Sequence, residues 1–197
     1  FNMPQQATTN TLHTVIATKA DLMRHLDPVR VQGYCRSCEN HGRVWSCPPF
    51  AGSPLANFPT WTHAVIVCQQ TWLAADTTKA QLLERFLAAR VSFGARMRQT
   101  EARHPRVTAL VAGHCSECES CSRPEGKPCR APERLRYSPE SVGFDVTGLT
   151  EALAGIKVQW PKTGVPDYLT TVGALLCPDD AVAAELRDAL ADQSKEI

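Results

Sequence analysis

No stretch of the chain approaches the roughly 18 consecutive apolar residues that a membrane-spanning helix needs. Nor do its first residues show the charged-then-apolar pattern of a secretion leader. We therefore expect a cytoplasmic protein with no membrane partner. Charge of one sign is also missing: a formal net charge of +1 over 197 residues gives no electrostatic basis for gripping nucleic acid. There is no GxGxxG after a strand, so the chain has no nicotinamide or flavin site of that kind. There is no GxSxG, which leaves serine-nucleophile hydrolysis without support. The C-x3-C-x2-C triplet of radical S-adenosylmethionine enzymes is absent, and the chain is short for their barrel. Internal repeats and low-complexity tracts are absent too.

What is present is cysteine, nine residues of it, in a chain that is 43% hydrophobic. Length and composition together fit one compact α/β domain over residues 1–197 with a core of its own. A disulfide scaffold of that cysteine density is usually a much shorter, core-poor secreted chain. Cytosolic thiols stay reduced, and when clustered they bind metal or do redox work.

Seven of the nine fall in two clusters. In GHCSECESCSRPEGKPCRAP (113–132) the spacing is C-x2-C-x2-C-x7-C, through Cys115, Cys118, Cys121 and Cys129. Three thiolates at intervals of three, with a fourth further along, suit a [4Fe–4S] cubane. Structural zinc more often uses two separated pairs, so spacing favours iron–sulfur and keeps zinc as the alternative. The other cluster, YCRSCENHGRVWSCPPF, holds Cys35, Cys38 and Cys47. Its Cys47-Pro48 resembles the Cys-Pro ending of ferredoxin motifs.

Seven thiols are one short of two all-cysteine cubanes. Three arrangements stay open. The first loop holds a cluster with an open iron; or Cys68, His41 or an unidentified group is the eighth ligand; or both loops share one centre. Cys68 and Cys177 lie in apolar strands and read as buried small hydrophobes. Trp45 is either a cluster shield or a core aromatic, and His114 reads as a loop histidine. Segment 123–136 sets Arg123, Lys127, Arg130, Arg134 and Arg136 against Glu125 and Glu133, net +3. Arg130, Arg134 and Arg136, with Glu140, are candidates for holding a small anionic substrate or for supporting a cluster from its surroundings.

Periodicity predicts a short strand at 13–17, then a helix to Leu26 opened by the Thr18/Asp21 capping box. A loop region over 27–62 follows. Strands are expected at 63–73, 106–113, 156–160 and 168–177. A long amphipathic helix from Thr78 should bury Leu82, Phe86, Ala89, Phe93 and Met97. A short helix is expected from Ser138-Pro139-Glu140, and a last one from Asp179 with Val182, Leu186 and Leu190 inward. These elements predict a single-domain α/β sandwich with a mixed four- to five-stranded sheet. Two cysteine-rich metal-binding loops, at about 30–60 and 113–137, would be mounted on it.

CRSC-x8-CPPF, taken with GHCSECESC-x7-CRAPERLRYSPESVGFDV, resembles a family of small prokaryotic proteins. Its members are described only as predicted metal-binding, domain of unknown function twenty-two eighty-four. The resemblance runs over about residues 30–177 and includes all seven clustered cysteines. It implies that Cys35, Cys38, Cys47, Cys115, Cys118, Cys121 and Cys129 are metal ligands, and it implies no reaction. Function is thus narrowed to three classes. One is an iron–sulfur protein passing electrons to a redox partner. The second is a cluster enzyme of lyase or desulfurase type acting on a small anionic substrate. The third is a zinc-stapled structural module.

Overall fold

A computed structural model describes residues 9–160 and 164–193. Four strands form one antiparallel sheet: β1 (Asn10–Thr18), β2 (His63–Trp72), β3 (Thr108–Leu110) and β4 (Tyr168–Cys177), in the order β1-β2-β4-β3. Around it lie α1 (Lys19–Met23), α2 (Pro28–Cys35), α3 (Lys79–Ala102), α4 (Val146–Leu149) and α5 (Asp180–Gln193).

β2 shows how the sequence dictates the layers. Side chains alternate across a strand. Ala64, Ile66 and Cys68 enter one core with Phe144, Leu149, Ile156 and Leu176. Val65 and Val67 enter the other, with Phe93, Met97, Leu186 and Leu190 from α3 and α5. Burial on both faces is why the strand reads as one continuous apolar run. Each fully buried Leu, Phe or Met contributes about 1.5–3 kcal/mol. β4 meets α3 closely at Gly173, where a Cβ would stand 2.6 Å from the Leu110 carbonyl and 2.9 Å from the Phe93 ring.

The sheet is antiparallel rather than mixed, which corrects the expected topology. β2 and β3 do run in the same direction and are linked through α3. However, β4, apolar on both faces, pairs between them and antiparallel to each. The expected strand at 156–160 is irregular. It follows a π-helical turn (Thr150–Ala154) and the left-handed Gly155. Its polar groups then bond to side chains: Tyr168 Oη donates to the Lys157 carbonyl at 2.6 Å, and the Gln159 amide pairs with Asp167.

Both capping boxes form, Thr18 with Asp21 and Thr78 with Gln81. Along α3, Ala89, Phe93, Met97 and Thr100 are buried, whereas Phe86 is 38% exposed. Its first turns leave Leu83, Leu87 and Val91 exposed as well. The 27–62 segment is not all loop: Asp27 caps α2 through the Arg30 amide, and Pro28 occupies the first helical position. Ser138-Pro139-Glu140 opens a turn instead of a helix. The Phe144 amide bonds back to the Pro139 carbonyl at 2.9 Å, and Gly143 ends the turn at φ +107°.

Candidate metal centre

α2 delivers the first thiol. Cys35 is its last residue, and the chain continues in tight turns, with the Cys38 amide on the Cys35 carbonyl at 3.0 Å. The Cys47 amide bonds the Val44 carbonyl at 3.0 Å, and the Gly42 amide closes the loop on the Pro48 carbonyl at 2.8 Å. The three thiols are near enough to feel one another. Burial pushes the Cys47 thiol up to about 11; its bond to Ser46 pulls the other way, and Cys38 and Cys35 push further. Cys35 is raised by burial, then by Cys38 and by Glu140.

The second loop leaves β3 through Val111, whose amide bonds the Tyr137 carbonyl at 2.9 Å. Gly113 turns the chain at φ +74° with the Arg90 side chain lying against it, so that a Cβ there would be 2.8 Å from Arg90 Cδ. Beyond it, Cys115, Cys118, Cys121 and Cys129 all line one cavity of about 300 Å³, with Trp45 and His114 on its wall. A three-residue 3-10 turn, Arg123–Glu125, and the left-handed Gly126 fold the 121–129 span back. Ser122 Oγ holds that span by donating to the Pro128 carbonyl at 2.7 Å.

The two loops pack on each other. Arg123 does most of the joining. Its guanidinium donates to the Val44 carbonyl at 2.8 Å and to the Cys47 and Pro49 carbonyls at 2.5 Å each. It also lies over the Trp45 ring at 5.1 Å. The Cys115 amide donates to Ser46 Oγ at 2.8 Å, and Ser46 is fully buried. Asn40 Nδ2 and His114 Nδ1 are 3.2 Å apart, and Trp45 Nε1 donates to the Lys127 carbonyl at 3.1 Å. Arg123, Ser46 and Asn40 went unmarked as site residues in the sequence. Their partners are mostly backbone groups, which leave no complementary residue to read.

The arginines expected near a substrate are engaged elsewhere. Arg136 pairs with Glu101 at 2.7 Å and donates to the Glu133 and Leu135 carbonyls. Arg134 lies 3.8 Å from Glu117, which also receives Arg98 at 3.1 Å. Arg130, on the cavity wall, donates to the Ser120 carbonyl at 3.0 Å and reaches Glu125 at 3.5 Å. Glu140 stands apart from them. Its carboxyl oxygen Oε2 is sealed from solvent and has no hydrogen-bond partner. Burial raises its pKa against the lowering effect of its own amide and of Ser138.

Cys68 and Cys177 are core residues, fully buried on opposite faces of the sheet, and burial pushes each thiol to about 11. His41 is not among the residues that line the cavity of the second-loop thiols. All nine cysteines are free. Among the described residues, no three Cys, His, Asp or Glu side chains converge as they would on a single ion. Cys115, Cys118, Cys121 and Cys129 line one cavity, and four thiols are a donor set that fits either a tetrahedral zinc or a cubane cluster.

Free thiols gathered by two interlocked loops define a cysteine-rich metal-binding protein. The chain belongs to the family described as predicted metal-binding protein (DUF2284), whose model matches residues 26–177. That span takes in both loops, the turn at 138–145 and β4. No curated protein and no solved structure matches the chain.

Proposed function

We propose that the protein binds iron–sulfur clusters and works in electron transfer to a partner protein. Cys115, Cys118, Cys121 and Cys129 would hold one [4Fe–4S] cluster, and Cys35, Cys38 and Cys47 a second. The observation that carries this reading is the cavity of about 300 Å³ lined by all four thiols of the second loop. A bound cluster supplies a one-electron couple whose potential depends on nearby charge and solvent access. The chain's own residues provide for both. Trp45 covers part of the cavity wall, Arg123 places a cation beside Cys47, and the cysteines of both loops keep some solvent contact.

Electron transfer is favoured over chemistry on an anionic substrate because Arg130, Arg134 and Arg136 are occupied by carboxylates and carbonyls. A substrate would first have to displace those partners. The test is an anaerobic redox titration of the purified protein followed by electron paramagnetic resonance. Reversible one-electron reduction with the signal of a reduced cubane supports the reading. A colourless protein with stoichiometric zinc and no redox response overturns it in favour of the zinc-stapled module.

A further inference from the structure

The sheet has two edges, and among the described residues only one of them is closed. Beside β3, the Ala109 amide donates to Glu101 Oε1 and the Val111 amide to the Tyr137 carbonyl, each at 2.9 Å. β1 is the other edge, and no described strand pairs with its outer side. The parity of its ladder fixes which groups stand there. The Lys19 amide donates to the Thr62 carbonyl and the Trp72 amide to the Thr9 carbonyl, so the odd-numbered residues from 9 to 19 direct their backbone groups at β2. Asn10, Leu12, Thr14, Ile16 and Thr18 therefore turn theirs outward. The Thr18 amide is taken up by Asp21 Oδ2 at 3.2 Å, whereas no described residue answers the outward groups of Leu12, Thr14 and Ile16. We propose that this edge is a self-association surface. β1 pairs antiparallel with β1 of a second copy, across a two-fold axis at Thr14, and the two four-stranded sheets become one of eight strands. The inference is independent of which metal the cysteines hold.

Three observations select a second copy as the occupant. First, the edge carries none of the devices that keep such strands apart. NTLHTVIAT contains no proline, lysine or carboxylate, and its pairing with β2 runs from Asn10 to Thr18 without a bulge. Second, the strand is its own complement. With Thr14 opposite Thr14 of the second copy, Leu12 falls opposite Ile16 and Ile16 opposite Leu12. All of these positions face outward, so each pair exchanges both of its backbone bonds, about six in all. Third, Leu12 and Ile16 are only partly buried, on the core that α5 covers. A Leu–Ile pair on each side of the axis carries that apolar layer from one copy into the next. On the other face His13 falls opposite Val15, and no like charges meet, because the strand has no charged side chain at neutral pH. The backbone bonds suit any strand; the matched apolar pairs favour a second copy.

The test uses the full chain, purified anaerobically, in sedimentation equilibrium from about 1 to 200 μM, with residue-level amide hydrogen exchange over β1. The parent should approach twice its chain mass of 21.6 kDa as concentration rises. Over the same range, exchange at Leu12, Thr14 and Ile16 should slow by about tenfold or more, while the odd-numbered amides, bonded to β2 in either state, should not change. Thr14→Pro removes an amide that β2 does not use, and should hold the protein at 21.6 kDa throughout. The exchange pattern of the parent decides the matter if T14P does not fold. A parent that stays at 21.6 kDa with fast exchange at the three amides overturns the proposal. So does a monomer in which they are slow at every concentration, because the chain then covers its own edge. A dimer in which they stay fast places the interface elsewhere and overturns it as well.

Discussion

Replacing Arg123 with alanine should unlock the two cysteine loops from each other. Three hydrogen bonds from one guanidinium disappear, to Val44, Cys47 and Pro49, together with its contact over Trp45. Charge-assisted bonds contribute about 1.5–3 kcal/mol each, and a half-exposed cation–π contact about 0.5–1 kcal/mol. The Pro49 bond lies where water reaches it, and freed carbonyls regain hydration, so the sum is discounted to about 3 kcal/mol. With a urea slope of about 2–3 kcal/mol per molar, the midpoint of the reduced, metal-free protein should fall by about 1 M. Arg123→Lys keeps the charge but not the fork, and should recover less than half of the loss. Cluster release from R123A should be faster than from the parent by the same ordering. A midpoint for R123A within about 0.2 M of the parent would show that the loops are held together by something else.

Three further outcomes follow from the same contacts. Ser46→Ala removes the fully buried hydroxyl that accepts from the half-buried Cys115 amide, and should cost about 1–2 kcal/mol by urea denaturation. Glu101 accepts from Arg136 and from the Ala109 amide at 2.9 Å, joining α3 to β3. Glu101→Ala leaves a partly buried guanidinium uncompensated, at about 3 kcal/mol or roughly 8 °C in Tm; an unchanged Tm with lost function would return Arg136 to the substrate role. Burial alone would raise the Asp145 pKa, but the Gly148 amide and Arg30 outweigh it and hold it below the usual value of 3.8. Its pairing therefore stabilises the fold fully above the unfolded pKa and is lost as pH falls through the lower folded value. Asp145→Asn should flatten that acid limb in pH-dependent melts, and an unchanged limb would refute the assignment.

Much of this molecule was legible because local signals were strong. HAVIVCQQTW and YLTTVGALLC announced the two central strands, and each capping box marked the start of its helix, although the helix expected to reach Leu26 ends at Met23. The seven clustered cysteines were equally plain as a set, and the family match spans them. What escaped was set by tertiary context. IKVQW has a strand's composition, but Gly155 and the Tyr168 hydroxyl take its backbone out of reach of any ladder. Phe86 sits in phase with Phe93, yet the first turns of α3 leave it partly exposed. The pairing of β4 between β2 and β3 is a long-range choice that periodicity does not encode. In the site, Arg123 acts on backbone carbonyl oxygens, a signal that a list of residue types does not hold.

The most direct test of the central claim is iron and acid-labile sulfide analysis of protein purified without oxygen, compared with a Cys115→Ser/Cys118→Ser variant. On the proposal that the two loops hold separate clusters, the parent should carry about eight irons and eight sulfides, and the variant about four of each. Stoichiometric zinc without sulfide, or iron unaffected by the loss of both thiols, would contradict it.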